Sequence, residues 1–170
     1  IGRIAPHCAI PIESIAHRME PLKMDLESGR VGGDAFLETL AETLAYSGGT
    51  PLLKQAWQEI FDPIEATHAL VQQLSARIPL FLLSNTNDLH AEYFLGRYPV
   101  FQHFQDAVYS HKAGLMKPDP AIYAHTLARF NLLPEKVFFI DDLAANIESA
   151  HAAGWHAHQY KETEHAALLA

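Results

Sequence analysis

The sequence predicts an α/β protein in which a parallel sheet carries helices on both faces and a small all-helical subdomain precedes it. Three observations predict this. The first stretch, of roughly sixty residues, shows only helical apolar spacing. From Pro63 onward, short apolar runs alternate with helical segments, the pattern of strands joined by helical crossovers. Those runs end in polar, turn-rich loops, which is where ligands bind in parallel sheets.

The elements follow in order. Ile12 to Met24 places Ile12, Ile15, Met19 and Leu22 at helical spacing, and Pro21 is expected to end or kink that helix. Ser28 to Gly33 is a turn. Asp34 is the expected cap of a second helix, with Phe36, Leu37, Leu40 and Leu44 on one face. Ser47 to Thr50 breaks the chain again. Pro51 to Phe61 then forms a short helix with Leu53, Trp57 and Ile60 inward; Trp57 and Phe61 could line a pocket or simply pack helices. Ile64 to Ala76 is a helix. Ile78 to Leu83 is a continuous apolar run, the signature of a strand covered on both faces. A helix from Leu89 to Tyr98, a strand at Ala107–Tyr109 and a helix from Pro120 to Phe130 follow. Val137–Ile140 is the clearest buried strand; the helix Ala145 to Ala153 and a weaker strand, Trp155–His158, complete the pattern. The expected domains are therefore 1–62, helical, and 63–170, α/β.

Composition narrows the function. The 170 residues are 49% hydrophobic and 19% charged, ordinary for a globular protein with one substantial core. A formal charge of -8 argues against nonspecific nucleic-acid binding, because no basic patch neutralises phosphates. It leaves room for a small phosphorylated metabolite held by a few donors and a divalent cation. No apolar run approaches the roughly 20 residues that span a bilayer, and the N-terminus lacks a signal-peptide pattern. With Cys8 unable to form an intramolecular disulfide, a cytoplasmic protein is expected. Because the first residue is not Met, a trimmed or incomplete chain is expected too.

Three loops carry the candidate chemistry. Asp141-Asp142 follow the apolar strand directly, and two carboxylates there repel each other unless a cation or donor network compensates. Mg²⁺ is the natural partner, with Asn146 able to return a donor to the loop; the alternative is a helix cap. Lys117-Pro118-Asp119-Pro120 sets a lysine before a rigid helix start, with Asp119 as cap; Lys117 either meets a phosphate oxygen or lies solvated. Ser84-Asn85-Thr86-Asn87 offers a hydroxyl and backbone N–H groups to an anion, or makes a plain turn and cap. Ser84 has no histidine at a diagnostic spacing, so a serine triad has no support. The eleven histidines are scattered without HExxH or a Cys/His cluster; His156 and His158 share a strand face but lack a third ligand.

Taken together, the loops resemble motifs II, III and IV of the haloacid dehalogenase-like phosphohydrolases. Leu80-Phe81-Leu82-Leu83-Ser84-Asn85 resembles motif II, Lys117 in Gly114 to Asp119 motif III, and Phe138-Phe139-Ile140-Asp141-Asp142 with Asn146 motif IV. Within the family, the chain looks most like helical-cap members that hydrolyse sugar phosphates such as α-glucose 1-phosphate. The resemblance implies a Rossmann-like core under a helical cap that closes over the loops and contacts the leaving group. It further implies that Ser84 and the Asn85 backbone bind the phosphoryl group and that Lys117 contacts nucleophile and phosphate. Asp142 would bind Mg²⁺ directly, Asp141 directly or through water, and Asn146 would support them.

One departure stands out. The family begins with a central strand ending in Asp-x-Asp, the nucleophile and the acid, and no Asp-x-Asp occurs in this chain. The resemblance implies that this segment precedes Ile1 and that its absence leaves a gap through the sheet. Two rival readings remain. A 2-haloacid dehalogenase shares the fold but needs no Mg²⁺, so Asp141-Asp142 favours the phosphatase. An inactive ligand- or protein-binding module is the other.

Overall fold

The computed structural model describes residues 1–168. Along the chain lie α1 (Ile12–Glu27), α2 (Gly33–Thr43), α3 (Thr50–Gln58), α4 (Glu65–Ser75), β1 (Phe81–Ser84), α5 (Asp88–Arg97) and β2 (Asp106–Tyr109). There follow α6 (Ser110–Ala113), α7 (Pro120–Phe130), β3 (Phe138–Asp141), α8 (Ala144–Ala152), β4 (His156–Gln159) and α9 (His165–Leu168). They form two compact units. The first comprises Ile1–Pro63, Asn85–Gln102 and Tyr109–Gly114; the second comprises Ile64–Ser84, His103–Val108 and the chain from Leu115.

The first unit is helical. Ile15 and Leu26 of α1, Phe36, Leu37 and Leu40 of α2, Leu53 and Trp57 of α3, and Leu89 of α5 make one core with Leu44. Each fully buried leucine there contributes about 2 kcal/mol of transfer free energy. The helical spacing of α2 predicted this face. Three details differ from the sequence reading. Pro21 sits inside α1 without ending it; both the proline and His17, whose carbonyl loses its helical donor there, are exposed. Ile60 is 59% exposed, because α3 stops at Gln58 and Ile60 lies beyond the helical face. Asp34 is not the cap of α2. The cap position is Gly32, two residues earlier, and the N–H of Gly33 donates to Asp88 Oδ2 at 2.8 Å. A carboxylate from a distant element takes the place of the local one, made possible by the close approach of Gly33 to Asp88 and Leu89.

Asn87 and His90 secure α5 in the same unit. The Asn87 side chain accepts from the N–H of His90, while its amide nitrogen lies 3.0 Å from His90 Nδ1. His90 Nε2 then donates to the Trp57 carbonyl at 3.0 Å, which fixes the neutral tautomer with the proton on Nε2. Burial pulls the His90 imidazole below its ordinary value, against the opposing pull of that carbonyl.

The second unit is α/β. β3 and β4 run parallel, with Phe138 opposite His156 and Asp141 opposite Gln159. β1 and β2 form a separate two-stranded sheet. Tyr123 of α7 is fully buried, edge-on to Trp155 (5.2 Å) and Phe139 (6.1 Å). The expectation of fully covered strands fails for β1 and β3. β1 is half-buried throughout, and Phe138 and Ile140 of β3 are 62% and 39% exposed. The physical reason is a cleft of about 520 Å³ between the half-sheets, lined by Leu80–Leu83 from one side and Val137–Ile140 from the other. Phe138 and Ile140 of β3 and Phe81 to Leu83 of β1 line this cleft.

Candidate active site

β3 delivers Asp141 at its last position, with the side chain buried. Four hydrogen bonds then define the site. Asp141 Oδ2 accepts from Lys117 Nζ at 2.6 Å. Asp141 Oδ1 accepts from the Leu143 N–H at 2.9 Å and from Asn146 Nδ2 at 2.8 Å. The same Lys117 ammonium donates to the Leu83 carbonyl at 2.9 Å, one residue before Ser84. Lys117 therefore joins the two half-sheets, touching the end of β1 and the end of β3.

The electrostatics follow from that geometry. Burial pushes the Asp141 carboxyl up, but the Lys117 ammonium and the hydrogen bonds from Leu143 and Asn146 together outweigh it. Asp141 is held below the usual carboxylate range and stays ionised. Lys117 is also buried, with its ammonium 5.4 Å from the Phe139 ring centre.

Local sequence explains how each group arrives. Asp119 caps α7 by accepting from the Ala121 N–H at 2.8 Å, and Pro120 occupies the first turn, so Lys117 projects from a braced helix start. Asn146 lies in the first turn of α8 and reaches back to the strand end it follows. Of the residues singled out in the sequence, Lys117, Asp141 and Asn146 come together in one hydrogen-bonded set. Asp142 is the next residue, exposed, with its backbone carbonyl accepting from Gln159 Nε2 at 2.8 Å. Ser84 ends β1, half-buried, adjacent in sequence to the carbonyl that Lys117 grips. Asn85 follows it and opens a segment of the first unit.

Among the described residues, no three His, Cys, Asp or Glu side chains converge as a closed metal cage. His156 and His158 accordingly lack a third ligand. An oxygen-seeking cation that keeps waters and takes phosphate oxygens asks less: one or two carboxylates suffice. Adjacent Asp141 and Asp142, one held ionised by its partners and one open to solvent, fit that demand.

Residues 10–154 match the family described as haloacid dehalogenase-like hydrolase. The chain belongs to the haloacid dehalogenase-like hydrolase family. This haloacid dehalogenase-like chain is 36% identical over 80 residues to a phosphorylated carbohydrates phosphatase of Thermotoga maritima, covering 47% of the chain and 37% of the relative. It is 26% identical over 117 residues to a 6-phosphogluconate phosphatase of Escherichia coli, covering 68% and 52%. The matches thus span about half or less of those relatives' own length. In fold it is similar to a HAD family enzyme of Bacteroides thetaiotaomicron solved with magnesium and inorganic phosphate, with a TM-score of 0.80 and 23% identity over 89% of this chain and 79% of that one. The α/β fold with a helical cap subdomain is thereby shown for this haloacid dehalogenase-like hydrolase.

Sequence reasoning missed two groups beside the site. The Tyr123 hydroxyl donates to the Asn146 carbonyl at 2.8 Å, and Ser149 Oγ donates to the Pro118 carbonyl at 2.6 Å. Neither stands in a motif. Only their spacing from Lys117 and Asn146 on two adjacent helices could have hinted at them.

Proposed function

We infer that the intact protein is a Mg²⁺-dependent phosphatase of small phosphorylated metabolites, sugar phosphates above all. One observation carries the reading: a buried ammonium fixed between the ends of β1 and β3 on the Asp141 carboxylate, which Asp142 follows directly in sequence. Phosphoryl transfer asks mainly for positioned charge, and this set supplies a cation for phosphoryl oxygens and carboxylates for a metal. The names of the Thermotoga and Escherichia relatives, both phosphatases of sugar-derived phosphates, support the substrate class. α-Glucose 1-phosphate is the finer expectation within it.

In this reading Ser84 and the Asn85 N–H bind the phosphoryl group, and Lys117 neutralises one of its oxygens. Asp142 would hold Mg²⁺ directly and Asp141 directly or through water, with Asn146 fixing Asp141 from behind. When bound, the ion would offset the charge that develops on the phosphoryl oxygens. The nucleophile this reading requires is an aspartate carboxylate, which Lys117 would neutralise together with the phosphoryl oxygens. That carboxylate attacks phosphorus while the bond to the sugar oxygen breaks, and a second aspartate two residues on protonates the departing alkoxide. Water then cleaves the aspartyl-phosphate, releasing phosphate and restoring the carboxylate.

The test is phosphate release by the product of the complete gene from α-glucose 1-phosphate, 6-phosphogluconate and a panel of other esters, with and without Mg²⁺. Mg²⁺-dependent turnover is expected, and Lys117→Ala or Asp142→Ala should lower it by at least about 10²-fold. Chloride release from 2-chloropropionate with no turnover of any phosphate ester would sink the reading.

A further inference from the structure

Behind Asp141, two hydroxyls tie α8 to α7 and to the segment just before it. Tyr123 is fully buried, and its hydroxyl donates to the Asn146 carbonyl at 2.8 Å. Burial first, and the Asp141 charge second, push its pKa up to about 12, so it remains a donor at any working pH. Ser149 Oγ donates to the Pro118 carbonyl at 2.6 Å, and the Ser149 and Tyr123 hydroxyls also interact. Pro118 follows Lys117 directly, and Asn146 is the residue that grips Asp141 Oδ1.

Helix formation itself does not call for either bond. The Asn146 carbonyl lies in the first turn of α8, where the helix provides a backbone donor of its own. A serine within a helix ordinarily turns to water or back to a carbonyl in the preceding turn. Ser149 instead crosses to the segment that carries Lys117. The two bonds therefore act on the two backbones from which the Asp141 partners project.

We propose that Tyr123 and Ser149 are positioning residues that, through the Asn146 and Pro118 carbonyls, hold Asn146 and Lys117 on opposite oxygens of Asp141. The catalytic consequence rests on the phosphatase reading; the brace itself is measurable without turnover. The experiment compares wild type, Tyr123→Phe, Ser149→Ala, the double variant and Ser149→Thr. Reductive methylation followed by mass spectrometry reads the accessibility of each lysine, with exposed Lys54 and Lys161 as internal references.

The double variant should label Lys117 at least about five-fold faster relative to those references. On the preferred phosphate ester its kcat should fall about ten-fold with KM little changed, since a small misplacement of a charged group is costly. Ser149→Thr, which keeps the hydroxyl, should restore the behaviour lost in Ser149→Ala. If Tyr123→Phe fails to fold by circular dichroism, Ser149→Ala and Ser149→Thr alone carry the comparison. Unchanged protection of Lys117 in a folded variant overturns the proposal, as does faster labelling with unaltered kcat. A wild-type protein inactive on every phosphate ester counts against the phosphatase reading instead, and the labelling then decides the brace by itself.

Discussion

Asp141 spends its two oxygens on three donors, and Lys117 is one of them. Removing one member of a buried ion pair leaves the other uncompensated in a poor solvent, at a cost of about 3–5 kcal/mol. Asp141→Asn should therefore lower stability by about that amount in urea denaturation, while exposed Asp142→Asn should change it by less than about 0.5 kcal/mol. The pH dependence has a definite sign. The folded-state pKa of Asp141 lies below the unfolded value of about 4, so the folded chain binds fewer protons than the unfolded one. Its contribution is complete above about pH 4 and is lost as the pH falls through the depressed folded value. Asp141→Asn should flatten that acid limb of stability against pH; an unaltered limb would mean that Lys117 does not hold the carboxylate.

At the scale of elements, two glycines let helices approach where the sequence pattern alone shows only turns. Gly33 opens α2 against α5, and a Cβ there would lie 2.5 Å from Leu89 Cγ and 2.9 Å from Asp88 Oδ1. Leu89 and Asp88 can yield somewhat, so Gly33→Ala should cost about 1–3 kcal/mol. Gly29 is tighter. Its φ is +72°, and a Cβ would land on the His111 backbone carbonyl, which cannot rotate away. Gly29→Ala should cost about 2–4 kcal/mol, more than Gly33→Ala, in paired thermal melts. The reverse order would mean that the α1–α2 turn relaxes freely. The amphipathic spacing of α2 was legible in the sequence because it is a property of neighbouring positions. The cap of α2 was not, because Asp88 lies 55 residues from Gly33 and only folding brings them together.

At the scale of the whole molecule, the cleft in the second unit leaves apolar strand residues without cover. Phe138 and Ile140 are exposed on a strand whose composition is that of a buried one, and Leu80 to Leu83 line the facing wall. A parallel strand between them would pair the backbone groups of both edges, and its own apolar side chains would pack beside those that line the cleft. A synthetic peptide of about five apolar residues followed by Asp-x-Asp, a normal strand length, should displace an apolar dye such as anilinonaphthalene sulfonate from the chain. It should also raise Tm by several degrees, because a ligand bound to the folded state alone stabilises it. A control peptide with lysine at alternate apolar positions should do neither. Equal effects from both peptides, or none from either, would show that the cleft does not take a strand.

The sequence by itself determined the fold class, the order of most helices and strands, and the polar loops that carry Ser84, Lys117 and Asp141-Asp142. These depend on apolar period, turn chemistry and motif order, all of them local. Only the tertiary structure decided which candidates meet. It put Lys117 on the Leu83 carbonyl and on Asp141 at once, left Asp142 in solvent, and recruited Tyr123 and Ser149 behind them. Those contacts join residues 23 to 34 positions apart, and side-chain direction at that separation is set by packing rather than by neighbouring sequence.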